Sequence, residues 1–203
     1  KGFFAINQIV TGWISAGLKI SRKRKMSLQR VERSFCMKRK NKALITGING
    51  FIGSSLEGYI KDKYPSWEIY GIDKSTRSSK IRFNIDIADK KKLKALLKKI
   101  KPRYIFHFAG IVSNKDLNEL LSLNLMTTYH LLSAIKEIKG YSPRIIIPSS
   151  AACYGRVSKR NIPIKESCPL KPINLYGFSK MTQEELSLMF ARQGQDVIIA
   201  RIF

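Results

Sequence analysis

From Lys42 onward the chain alternates between two hydrophobic rhythms. Lys42–Thr46, Glu68–Ile72, Ile81–Asn84, Arg103–Phe108, Arg144–Pro148 and Val197–Phe203 are short, mostly apolar runs of strand length. Between them, Phe51–Tyr64, Asp89–Ile100, Asp116–Ile138 and Leu175–Gln193 space their apolar residues at helical intervals. Mostly apolar strands separated by amphipathic helices predict a parallel sheet covered on both faces. Right-handed crossovers then give a doubly wound α/β fold. Nothing repeats internally, and no tract has low complexity.

Residues 1–36 do not follow this alternation. Gly2–Leu18 is moderately apolar, but Asn7, Gln8, Thr11 and Ser15 interrupt it, and it falls short of the roughly 20 apolar residues a membrane span needs. The basic cluster Arg22–Lys25 follows the apolar run, whereas a signal peptide places its charge first. Residues 1–36 therefore read as a basic extension, disordered or artefactual, with a membrane anchor as the weaker alternative. Residues 37–203 read as the structured domain, with Met37 as a natural start. The chain begins with Lys and stops at Phe203 inside a strand-like run, and so reads as a fragment or a mis-started frame.

Charge changes the picture less than its size suggests. The formal net charge is +24, with eight Lys/Arg and one Glu in residues 1–36 and the rest spread widely. The densest later run, Lys90–Lys101, carries Leu93, Leu96, Leu97 and Ile100 at helical spacing, so its lysines read as a solvated face rather than a nucleic-acid patch. The three cysteines, Cys36, Cys153 and Cys168, have no metal-type spacing, and there are only two histidines. Neither a metal site nor a disulfide framework is expected, and reduced thiols suit the cytoplasm.

The candidate chemistry starts at KALITGINGFIG, residues 42–53. The first strand ends in a turn carrying Gly47, Gly50 and Gly53, and a helix opens at Phe51 and Ile52. Gly47 suits the tight turn, Gly50 lets backbone N–H groups approach a pyrophosphate, and Gly53 lets the helix pack close to the strand. The positive end of the helix then faces the phosphates. Asp73 lies twenty positions after Gly53 at the end of the second strand, where a carboxylate can accept both ribose hydroxyls. Strand, glycines, helix, strand and acid in this order describe a dinucleotide site.

Ligands in such sheets bind at the carboxyl ends of the strands. The fourth strand is followed by His107-Phe108-Ala109-Gly110, small and apolar enough to pack beneath a cofactor, with His107 read as a packed strand-end residue. The fifth is followed by Pro148-Ser149-Ser150-Ala151-Ala152-Cys153-Tyr154-Gly155. After a proline-bearing loop, Tyr176-Gly177-Phe178-Ser179-Lys180 opens a helix, which puts Tyr176 and Lys180 on one face. Tyr59/Lys63 and Tyr70/Lys74 share that spacing, but only Tyr176 follows the serines and starts a helix near the strand ends.

TGINGFIG, Asp73, Asp86-Ile87, HFAG, Asn124 in NLMTTYHLL, SSAACYG, Tyr176 with Lys180, and Arg201-Ile202-Phe203 together resemble the extended short-chain dehydrogenase/reductases, in their nucleotide-sugar epimerase/dehydratase branch. The resemblance covers about Lys42 to Phe203 and implies a Rossmann domain whose substrate domain lies largely beyond this chain. It makes Tyr176 the acid/base, with Lys180 on the nicotinamide ribose lowering the phenol pKa. Ser150 would bond the reacting sugar oxygen. Asp86 and Ile87 would meet the adenine, and Phe108, Ala109 and Gly110 would lie under the cofactor. Asn124 would support the helix carrying Tyr176, and Phe203 would touch the nicotinamide end. Lowering a phenol from about 10 to 7 takes roughly 4 kcal/mol, within reach of a nearby ammonium and a positive nicotinamide.

The family's 4,6-dehydratases carry an Asp-Glu pair where this chain has Ala151 and Ala152, so dehydration is not expected. A nucleotide-sugar C4 epimerase fits, as does a 4-keto-deoxy-sugar reductase. Asp73 favours NAD, while Lys74 and Arg77 leave NADP open. A homodimer, a nucleotide-sugar substrate, and no nucleic-acid or membrane partner complete the expectation. A non-catalytic dinucleotide sensor and a basic nucleic-acid binder are the readings from other classes.

Overall fold

The computed structural model describes residues 41–75, 77–112 and 116–203. The expectations for residues 1–36, Met37 and Cys36 lie outside them. Six strands form the sheet: β1 (Lys42–Thr46), β2 (Glu68–Ile72), β3 (Arg82–Phe83), β4 (Tyr104–His107), β5 (Arg144–Ser150) and β6 (Asp196–Ile202). Their order is β3-β2-β1-β4-β5-β6, and every pairing is parallel. The helices are α1 (Phe51–Lys63), α2 (Lys90–Ile100), α3 (Leu117–Leu120), α4 (Thr127–Lys136) and α5 (Leu175–Arg192), with a π-helical stretch, Leu121–Met126, joining α3 to α4.

Strand side chains alternate between two cores. Leu44, Ile105, Ile145 and Ile147 pack with residues of α2, α4 and α5 on one face. Ala43, Ile45, Tyr104, Phe106 and Ile146 pack with Leu56 and Ile60 of α1 on the other. This double burial is why the strands read as apolar throughout. In α2, Leu93, Leu96, Leu97 and Ile100 are buried as the spacing predicted, and the outward Lys90 and Lys94 pair with Glu137.

Most boundaries shift by a residue or so, and three differences bear on the crevice. The strand expected at Ile81–Asn84 pairs only over Arg82–Phe83. The helix expected over Asp116–Ile138 contains the π-helical stretch. β5 runs to Ser150, so Ser149 and Ser150 belong to the strand, paired with Arg201 and Ile202 of β6. Strand order reverses between β1 and β4, and that reversal opens a crevice at the carboxyl ends of the sheet.

Candidate active site

The glycine turn after β1 builds the crevice's first wall from backbone. Gly47 has a φ of +66°, and a Cβ there would meet the Phe108 carbonyl at 2.8 Å. In α1, a Cβ on Gly53 would come within 2.8 Å of Ile48 Cα and closer still to the Gly47 carbonyl oxygen. Gly53 thus seats the helix on the turn itself rather than on the strand. Gly50 is different: its φ is an ordinary −71°, and it caps α1 with no side-chain hydrogen bond. The first turn of α1 has no acidic residue, and its residues Phe51, Ile52 and Gly53 line the crevice.

Asp73 sits across the turn at the end of β2. Its Oδ2 accepts the Asn49 N–H at 3.2 Å, and its Oδ1 accepts the Ser75 N–H at 3.0 Å and the Ser75 hydroxyl at 2.7 Å. Asn49 Nδ2 donates to Ser75 Oγ at 3.0 Å, closing the clamp. Burial pushes the Asp73 carboxyl up, but the hydrogen bonds from Ser75 and Asn49 outweigh it and hold the pKa below the ordinary value. Asp86 is not the helix cap, because Asp89 fills that role through Lys92 N–H. Asp86 accepts the Ala88 N–H at 2.9 Å and pairs with Lys74 at 2.8 Å, so the lysine that left NADP open is engaged by a carboxylate.

Two adjoining clefts share the glycine turn and the Phe108–Ile111 segment. One, of about 360 Å³, holds Gly47, Gly50, Asp73, Asp86, Ile87, Phe108, Ala109 and Gly110. The other, of about 480 Å³, adds Phe51, Ile52, Gly53, Asn124, Ser150, Tyr176, Lys180 and Phe203. Residues spread over 157 positions of sequence, from Gly47 to Phe203, thus line one continuous crevice. Sequence reasoning missed Ile85, Ile111, Leu123 and Thr127 in its walls.

Ser150 ends β5, and its Oγ accepts the Ala152 N–H at 3.1 Å, capping the 3-10 turn Ala151–Tyr154. That oxygen also hydrogen-bonds with Tyr176. Gly177 allows this approach: a Cβ there would lie 2.5 Å from the Ala152 carbonyl oxygen. Asn174 caps α5 by accepting the Gly177 N–H at 2.7 Å. Burial pushes the Tyr176 phenol up, with the Ser150 hydrogen bond opposing it. Lys180 Nζ donates to Gln183 Oε1 at 2.6 Å. Burial pushes Lys180 down to about 8.

His107 is fully buried, with Nδ1 2.8 Å from Thr46 Oγ1 and Nε2 3.0 Å from Thr128 Oγ1. Burial, with the Lys180 charge behind it, holds its pKa down to about 3, so it is a neutral packed residue. Asn124 lies in the π-helical stretch. Its Oδ1 accepts the Ile111 N–H at 2.9 Å, and its Nδ2 donates to the Ile111 carbonyl and to Ser179 Oγ, each at 3.1 Å. It therefore ties both the crevice floor and α5. Phe203 is 75% exposed and stacks on Tyr154. The second tyrosine expected to be a bystander, Tyr70, donates to Glu68 instead.

A helix N-terminus with no acid in its first turn, a turn that excludes Cβ atoms, and an oriented carboxylate acceptor form a set of groups suited to a dinucleotide. Comparison with known proteins agrees. The chain is 29% identical over 164 residues to the GDP-6-deoxy-D-mannose reductase of Pseudomonas aeruginosa, covering 78% of this chain and 50% of the relative. It is 29% identical over 178 residues to the UDP-glucose 4-epimerase of Mycoplasma pneumoniae, covering 79% and 51%. Among solved structures, UDP-glucose 4-epimerase from Brucella ovis in complex with NAD superposes with a TM-score of 0.72 at 26% identity, over 80% of this chain and 52% of that one. RMD from Pseudomonas aeruginosa complexed with NADPH gives 0.67 at 28%, over 80% and 52%. The chain spans about half the length of the curated relatives it matches. Residues 43–203 match the model of the NAD dependent epimerase/dehydratase family, and the chain belongs to that family.

Proposed function

We propose that this chain forms the dinucleotide-binding part of an NAD-dependent nucleotide-sugar epimerase acting at C4. The observation that carries the reading is the meeting of Ser150, Tyr176 and Lys180 in the crevice that the glycine turn opens. The first turn of α1 takes the pyrophosphate, and Asp73 takes the adenine ribose. A bound nicotinamide supplies a reversible hydride acceptor for the sugar carbon. Tyr176 Oη removes the proton of the sugar hydroxyl and later returns it, while Ser150 Oγ donates a hydrogen bond to the same oxygen. Since burial raises the phenol, the base form requires the Lys180 ammonium to turn from Gln183 toward Tyr176 and the nicotinamide ribose.

A 4-keto-deoxy-nucleotide-sugar reductase is the second reading, favoured by the similarity to the Pseudomonas reductase. The same residues serve it, with Tyr176 delivering a proton to the carbonyl oxygen. Pairing of two copies belongs to either reading, with the exposed Met126, Tyr129 and Met189 on adjoining helices as the surface. Calorimetry with NAD, NADH, NADP and NADPH tests the site. Turnover of the intact protein on UDP-hexoses and GDP-4-keto-deoxy-sugars separates the two. Interconversion without net cofactor change supports the epimerase, and stoichiometric NAD(P)H consumption supports the reductase. Absence of dinucleotide binding would overturn both.

A further inference from the structure

Lys180 is buried to 6% exposure, and the acceptor for its ammonium is a neutral amide, Gln183 Oε1, which is itself 1% exposed. The hydrogens around that amide can be assigned one by one. Thr128 Oγ1 donates its single proton to the Asn124 carbonyl at 2.8 Å. Its two other contacts must therefore be donors: Gln183 Nε2 at 2.7 Å and His107 Nε2 at 3.0 Å. A neutral His107 with its hydrogen on Nε2 leaves Nδ1 bare, to accept from Thr46 Oγ1 at 2.8 Å. Thr46 Oγ1 in turn accepts the Ala109 N–H from the crevice floor at 3.2 Å. A flipped Gln183 would set its oxygen against a Thr128 that has no proton left, and its NH₂ against the Lys180 ammonium. The network permits one orientation.

We propose that Gln183 is the positioning residue for Lys180: its amide oxygen, locked by Thr128 and His107, holds the ammonium at the crevice wall and keeps it charged. The proposal rests on the reading of Lys180 as a cofactor-site residue. A neutral acceptor suits that role, because a carboxylate at the same place would bind the ammonium too tightly to release it toward a ribose and a phenol. The other titratable groups facing Lys180 are Cys153 on the 3-10 turn, Glu184 and Tyr176 on α5, and His107 on β4. Glu184 is already engaged by Arg201, which grips it through Nε and Nη2 at 2.7–3.2 Å. Gln183 is therefore the group whose loss the ammonium should feel.

The test reads Lys180 directly. Lysine side chains are labelled with ¹³C and titrated by NMR, with the Lys180 signal identified by its loss in Lys180→Arg. NAD(H) affinity is measured in parallel by fluorescence. Gln183→Leu should lower the Lys180 midpoint by about one pH unit, the scale of one hydrogen bond to a charged group, and weaken NADH by about tenfold. Gln183→Glu should raise the midpoint above wild type, and Thr128→Val should move it in the direction of Gln183→Leu by a smaller amount. If Gln183→Leu fails to fold, Gln183→Glu and Thr128→Val decide, and unchanged midpoints in both overturn the proposal. Unmoved midpoints with NADH binding intact overturn this proposal and leave the dinucleotide site standing. Shifted midpoints in a chain that binds no NAD(H) uphold Gln183's hold on Lys180 and overturn the functional reading instead.

Discussion

The two ends of the crevice are built by different means. At the glycine turn the working parts are backbone: a positive-φ glycine, a helix end without a side-chain cap, and one carboxylate steadied by a neighbouring N–H and a serine. At the α5 end the parts are side chains, and Lys180 among them is held by a chain of further buried side chains from α5, α4, β4 and β1. The first kind of site depends largely on absent Cβ atoms, and small changes there act by obstruction. The second depends on hydrogens being in particular places, and changes there act through protonation and orientation.

Tyr176→Phe tests the side-chain end most severely. It keeps the ring and removes the proton-transferring oxygen, so turnover of the intact protein should fall by about 10²–10⁴-fold with NADH affinity nearly kept. Wild-type turnover in this variant would remove Tyr176 from the mechanism. Gly50→Val tests the backbone end. Its Cβ would stand 3.2 Å from the Gly47 carbonyl oxygen, tolerable for folding, with the rest of the side chain at the mouth of the proposed phosphate site. NAD affinity should drop by about 100-fold, the value of two charge-assisted hydrogen bonds. Unchanged calorimetric binding would break the comparison at its first term.

Asp73→Ala exposes the Asn49 N–H and the Ser75 N–H and hydroxyl, which now bind a carboxylate. Those donors suit a 2′-phosphate, so the NADP-to-NAD affinity ratio should rise by about tenfold. A wild-type preference for NADP would reverse the assignment of Asp73. His107 sharpens the contrast through pH. Its folded pKa of about 3 lies below the ordinary 6.5, so its contribution to stability is complete above pH 6.5 and is lost as pH falls toward 3. Urea midpoints should therefore report a loss of about 1.4 kcal/mol per pH unit below 6.5, and His107→Gln should flatten that slope above pH 5. The smallest effect is expected at Tyr70→Phe, whose hydroxyl meets Glu68 outside the crevice, and whose turnover should stay within about twofold of wild type.

The sequence reading reached further at the backbone end. Sheet, helices, glycine turn and Asp73 follow from period, spacing and residue type, because each reflects a local demand on the chain. β3 is only two residues long because pairing stops before its apolar pattern does. The holders of the second end were not seen. Gln183 lies only three residues from Lys180, and that helical spacing was the available signal. Thr128 is 55 residues from Gln183, and its hydroxyl matters only once the sheet has brought α4 beside α5. Likewise Gly177 stood in the quoted motif without a role, since the need for a missing Cβ appears only against the Ala152 carbonyl.

The π-helical stretch Leu121–Met126 is the signature of a one-residue insertion into an ordinary helix. Within it Asn124 bonds Ile111 and Ser179, and just after it Thr128 bonds His107 and Gln183. Deleting one residue there would restore regular i→i+4 bonding and rotate those side chains out of register with each other by about 100°. The helix would gain regular hydrogen bonding and the site would lose its alignment, so at this point of the chain the length of the segment matters as much as the identity of its residues.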